Sequence, residues 1–97
     1  MKPKVYLYLL KPKTEPYRHE MYRSVVVAAR SPDEAKNIHP SGGSGGKITN
    51  AEWWRHGRES SFPVWVKTPD DVTVKCIGTA ARGIEVGEII CADFLGA

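Results

Sequence analysis

Long apolar runs are missing from this 97-residue sequence. The longest falls far short of the roughly 20 residues a membrane helix needs. No charged-then-apolar leader with a small-residue cleavage site opens the chain. Cysteine is scarce: Cys76 and Cys91 are the only two. Without a leader they point to a reducing compartment and free thiols rather than a disulfide framework. The three histidines, His19, His39 and His56, form no His-x-x-x-His pair, and no Cys-x-x-Cys is present, so close-range metal ligation has no local support. A Gly-x-Ser-x-Gly nucleophile elbow is also absent. The stretch Gly42 to Lys47 only partly resembles a phosphate-binding loop. Ile48 takes the hydroxyl position, and the stretch follows a helix, whose negative dipole end repels phosphate. These absences argue against an enzyme and against any cofactor or metal, and favour a protein that binds.

What is present is ordinary globular composition, 41% apolar and 26% charged. The length suits one domain, residues 1–97, with flexible loops expected near 11–22 and 40–47. Oligomerisation would help so small a domain cover its apolar faces. The net charge of +3 is unevenly spread. Residues 1–30 hold seven Lys/Arg against two Glu, and residues 31–97 hold seven against nine Asp/Glu. The first third is therefore the part that attracts phosphates or an acidic partner.

Lys4 to Leu10 predicts a first strand. Both of its alternating sets are apolar or aromatic, which suits a strand covered on both faces. Arg23 to Ala29, with Val25-Val26-Val27, predicts a second. Ser31-Pro32-Asp33-Glu34 supplies an N-cap hydroxyl, a proline at the first helical position and two carboxylates in the first turn. That helix must end by about His39, ahead of Pro40. Residues 47–61 read as less regular. Val72 to Ala80 and Glu88 to Phe94 predict two further strands joined as a C-terminal hairpin, which would set Cys76 nearly opposite Cys91 as a buried pair. In Val72 to Ala80, Val72, Val74 and Cys76 share one face and Thr73, Lys75 and Thr79 the other, with Ile77 as the exception. The fold class is α+β: a small, mainly antiparallel sheet of about four strands, β-β-α-β-β, with one short helix.

Two groupings suit an anionic aromatic ligand. Arg30 and Ser31 sit at the helix start, with Arg23 one strand length away; guanidinium groups and free N–H groups hold phosphate. The run Trp53-Trp54-Arg55-His56 puts aromatic faces beside a guanidinium, as a nucleobase and its phosphates require. His39 lies near the glycine-rich loop between the two. The candidate ligand-binding residues are thus Arg23, Arg30, Ser31, His39, Trp53, Trp54 and Arg55. Plain capping by Ser31 and a tryptophan buried in the core are the structural alternatives for the same residues.

At VVVAARSPDEAKNIHPSG (25–42), VTVKCIGTA (72–80) and EIICADFLGA (88–97) the sequence resembles a group of short phage and prophage proteins. The likeness covers about two-thirds of the chain. It departs in the longer charged segment 11–22 and in the repeated glycines at 42–46. The resemblance implies an accessory protein acting in the bacterial host cytoplasm, of the kind that counters host defence. It implies a homo-oligomer that sequesters a nucleotide-derived immune signal without turning it over. The alternative partners are a host defence enzyme inhibited by direct contact, or nucleic acid.

Overall fold

In the computed structural model, residues 4–13, 21–41, 50–59 and 64–95 are described. Strand β1 runs Tyr6–Pro12, β2 Met21–Ala29, β3 Val72–Thr79 and β4 Ile89–Leu95. Helix α1 spans Pro32–Lys36 and α2 Asn50–Glu59, and a single 3-10 turn, Pro69–Asp71, leads into β3. The four strands form one antiparallel sheet in the order β3-β1-β2-β4. The α+β class and the four-strand count agree with the sequence. The expected loops 11–22 and 40–47 fall largely on residues 14–20 and 42–49, outside the described residues.

The C-terminal hairpin does not form. β3 pairs with β1 and β4 with β2, so the two last strands occupy opposite edges. The chain between them makes two successive four-residue turns rather than one tight reversal. Ile84 N–H donates to Ala81 at 3.2 Å, and Glu88 N–H donates to Glu85 at 3.2 Å. Gly83 and Gly87 hold the third position of each, at φ +95° and +96°, where a type II turn needs a residue without a Cβ. The connector is tied to the ends of the central strands: Ala80 N–H donates to Val5 (2.9 Å) and Gly87 N–H to Ala28 (2.8 Å). Cys76 therefore lies opposite Tyr8 and Cys91 opposite Val26, both as exposed free thiols on separate edges. The expected buried pair fails because strand order, not strand content, decides which cysteines meet.

One face of the sheet carries the core. Tyr8 and Leu10 of β1 and Val25, Val27 and Ala29 of β2 pack with Ala35, Ile38, Trp54, Trp65 and Val72. Each fully buried Leu or Val contributes roughly 1.5–3 kcal/mol through loss of apolar surface to water. On the other face Leu7, Leu9 and Val26 are half-buried and Ala28 is fully buried. The two-sided covering suggested by β1 is thus met in part, with the larger core on one side.

Each edge strand carries a bulge. Leu7 faces Gly78 and Tyr8 faces Cys76, which leaves Ile77 unopposed; Val26 faces Cys91 and Val27 faces Ile89, which leaves Ile90 unopposed. Among the described residues these two are the exposed large hydrophobic ones, at 47% and 40%. The β3 bulge explains why Ile77 breaks the alternation, and it moves Thr79 opposite Tyr6, away from the row of Thr73 and Lys75.

Helix α1 starts as expected. The Ser31 Oγ accepts from Glu34 N–H at 3.2 Å. The Glu34 carboxylate reaches one residue further back than a capping box would, accepting from Arg30 N–H at 2.8 Å and from its guanidinium. The helix stops at Lys36, earlier than His39, and the Asn37 side chain donates to the Asp33 carbonyl at 2.7 Å. Within the segment 47–61 that read as less regular, Asn50–Glu59 form helix α2, and residues 47–49, 60 and 61 lie outside the described residues.

Candidate functional site

Three of the seven candidate residues meet. His39 is 2% exposed and lies between the two adjacent tryptophans of α2. Its ring stacks on Trp53 (6.0 Å between centroids, 18° between planes) and meets Trp54 edge-on (5.0 Å, 82°). Trp54 is buried, and its indole N–H donates to the Asn37 carbonyl at 2.9 Å. Trp53 is half-buried, and its other neighbour is His56 at 6.2 Å. Ser41 N–H donates to His39 Nδ1 at 3.1 Å, so the proton of the neutral ring sits on Nε2. Burial lowers the His39 pKa from 6.5 to about 4, and the ring is neutral at pH 7.

The remaining four lie elsewhere. Arg23 pairs with Asp93 at 2.9 Å on the β2–β4 side of the sheet. Arg30 pairs with Glu34 at 2.8 Å, which holds the Glu34 carboxyl below its usual range, and Ser31 caps the same helix. Both sit at the opposite end of α1 from His39. Arg55 is exposed on α2. Two residues along a helix are turned by about 200°, so Arg55 points away from the Trp53 side, which His56 shares instead. Helical geometry thus separates an aromatic and a guanidinium that adjacency in sequence suggested would act together.

The structure adds a place that the sequence did not suggest. Where the β3–β4 connector crosses the end of the sheet, a cleft of about 890 Å³ opens between the start of β1 and residues 80–85. Lys4, Arg82 and Glu85 supply its charges, and Val5 and Ile84 its apolar walls. Arg23, Arg30 and Lys36 each have a carboxylate within 4 Å. Lys4 and Arg82 have no ion pair among the described residues. Glu85 offsets one of the two charges and leaves the cleft cationic. The two residues are 78 positions apart in sequence and meet only because the connector crosses the sheet, so no local spacing signals them. A second groove of about 470 Å³, between α1 and Val86, is lined by Asp33 and Glu34 and would repel an anion.

Among the described residues, no three His, Cys, Asp or Glu side chains come together as a metal site, and no helix is long and apolar enough to cross a membrane. Comparisons with known protein families, with characterised proteins and with solved structures find no match to this chain.

Proposed function

We propose that this chain is a non-enzymatic binding protein that sequesters a phosphate-bearing, nucleotide-derived small molecule, as a phage accessory protein acting against host defence in the bacterial cytoplasm. The carrying observation is the cleft at the end of the sheet, where Lys4 and Arg82, without an ion pair among the described residues, outnumber Glu85. Its volume is within the range of small-molecule sites, and its lining combines apolar walls with a few charged groups, as such sites do. Arg82 offers a planar fork of donors to phosphate and Lys4 a point charge. Val5 and Ile84 offer apolar contact to a base or sugar.

The test is calorimetry of the folded protein against cyclic dinucleotides, ADP-ribose derivatives and mononucleotides, repeated with Lys4→Ala/Arg82→Ala. Binding to one class, weakened at least tenfold by the double substitution and by rising salt, supports the reading. No binding to any member by a folded protein sinks it.

A second reading, inhibition of a host enzyme by direct contact, is favoured by α2, which carries half-buried Trp53 with exposed His56 on one side and exposed Arg55 on another. Tryptophan and arginine are the residues that most often anchor protein interfaces. A stoichiometric complex with an enzyme, broken by Trp53→Ala and untouched by Lys4→Ala/Arg82→Ala, would separate it from the first.

A further inference from the structure

We propose that Glu85 is the specificity-determining residue of the cleft at the end of the sheet. It disfavours bare phosphates and admits a phosphate that carries hydrogen-bond donors beside it, the vicinal hydroxyls of a ribose or the amine edge of a base. The inference rests on the reading of that cleft as an anion site and names what the site selects.

Glu85 lines the cleft together with Lys4 and Arg82. None of these three side chains has a hydrogen bond or an ion pair among the described residues. Glu85 follows Arg82 by three positions, close enough in sequence for the carboxylate to fold onto the guanidinium. The two turns of the connector keep them apart. Arg82 holds the second position of the first turn, Ala81 to Ile84, and Glu85 the first position of the second, Glu85 to Glu88. The backbone of Glu85 is fixed from both directions. Its N–H donates to Glu88 Oε2 at 2.6 Å, and its carbonyl accepts from Glu88 N–H at 3.2 Å. Opposite charges that line one cleft without neutralising each other leave each available to a ligand.

A site for bare phosphate gains nothing from a carboxylate. An ionised carboxylate accepts hydrogen bonds and donates none, so toward a ligand made only of acceptors it contributes repulsion. Toward a ligand with donors the sign reverses, because each donor then forms a charge-assisted hydrogen bond. A nucleotide carries both parts on one scaffold. Its phosphate suits Lys4 and Arg82, and its sugar hydroxyls or base amine suit Glu85; acidic side chains accept from the same two groups in other nucleotide and nucleic-acid sites. Half-buried Val5 and Ile84 add apolar contact for the rest of the ligand. Glu85 therefore discriminates by penalising the wrong anion as well as by rewarding the right one.

The experiment is calorimetry at low salt with pyrophosphate and adenosine diphosphate, which carry the same two phosphates, on the wild type and on Glu85→Gln. Removing the carboxylate should tighten pyrophosphate about threefold, through relief of repulsion. It should weaken adenosine diphosphate about threefold, because a lost charge-assisted bond worth about tenfold outweighs that relief. The preference for the nucleotide over pyrophosphate thus falls about tenfold. Glu59→Gln removes the same charge from the exposed side of α2, which contributes nothing to the cleft, and should leave the preference unchanged. Two analogues assign the donor. If the ribose supplies it, dideoxyadenosine diphosphate loses the Glu85-dependent preference; if the base supplies it, purine riboside diphosphate, which lacks the amine, loses it. Either result supports the proposal, and a preference kept by both analogues overturns it. If Glu85→Gln shifts pyrophosphate and adenosine diphosphate by the same factor, Glu85 is a solvated surface charge; the proposal is overturned while the anion site stands. If neither probe binds the folded wild type, or if binding is indifferent to Lys4→Ala/Arg82→Ala, the reading of the cleft itself fails and takes this inference with it.

Discussion

The indole N–H of Trp54 donates to the backbone carbonyl of Asn37 at 2.9 Å, whereas the buried indole N–H of Trp65 finds no acceptor among the described residues. The two tryptophans enter the same core with opposite polar accounts. A hydrogen bond of this kind is worth about 1 kcal/mol net, and an unsatisfied buried donor costs about 1–3 kcal/mol.

Replacing each tryptophan by phenylalanine should separate these terms. Trp54→Phe loses ring volume and the bond that holds α2 to the end of α1. It should cost about 2–3 kcal/mol. Trp65→Phe loses similar volume but removes the unpaired donor. It should cost about 1 kcal/mol or less, because the two effects oppose each other. Urea unfolding of the two variants gives the comparison. Equal losses would mean that the Trp65 indole N–H has a partner outside the described residues.

The acid response of this protein should be set first by His39. Burial holds its folded pKa near 4, against 6.5 in the unfolded chain. The unfolded state therefore takes up a proton that the folded state refuses. The resulting stability is fully present above pH 6.5 and is lost as pH falls from 6.5 to about 4, where the folded ring also protonates. The loss over that window is about 3 kcal/mol. Glu34, depressed by Arg30, adds its own loss at lower pH, below its ordinary value of 4.5. Denaturation at pH 7.5 and pH 5 should show the His39 slope, and His39→Phe should flatten it. An NMR titration in which the His39 ring protonates near pH 6.5 would contradict the assignment.

The same residues mark how far the sequence could be read. The α1 start was legible because Ser31, Pro32 and Glu34 act on neighbours within one turn. The strands were legible because Val25 and Val27, or Val72 and Val74, alternate locally. Helix α2 was not. Trp53, Trp54 and Gly57 are indifferent to poor helix formers, and the helix is held by the burial of Trp54, which is a tertiary effect. The acidic first turn at Glu52 and the basic last turn at His56 and Arg58 were the available signal. Strand order was hidden because a nine-residue link between β3 and β4 suits either a loose hairpin or a crossing over the sheet end. The spacing of Gly83 and Gly87, four apart, was the clue to the crossing. Among candidate site residues, Trp53 and Trp54 are adjacent in sequence, but His39, fourteen residues earlier, reaches them only because α2 packs against the end of α1. Sequence proximity could not pair Lys4 with Arg82, nor reveal that Arg23 and Arg30 are neutralised by Asp93 and Glu34.

The two connector glycines give the last prediction, because they link backbone conformation to the cleft. A Cβ built on Gly83 or Gly87 meets nothing within 4 Å, so steric collision is not the obstacle. The obstacle is φ near +95°, which costs an alanine about 1–2 kcal/mol. Gly87→Ala should lower stability by about that amount, and Gly87→Asn by less, since asparagine tolerates positive φ better. Gly83→Ala should carry a similar stability loss and a second effect. Gly83 follows Arg82 directly, so relaxing the turn moves the guanidinium relative to Lys4. Gly83→Ala should therefore weaken phosphate-ligand binding more than Gly87→Ala does at equal loss of stability. Thermal denaturation and calorimetry on the two variants check both parts. If both glycines can be replaced by alanine without loss of stability, the two-turn crossing is wrong, and the convergence of Lys4 and Arg82 fails with it.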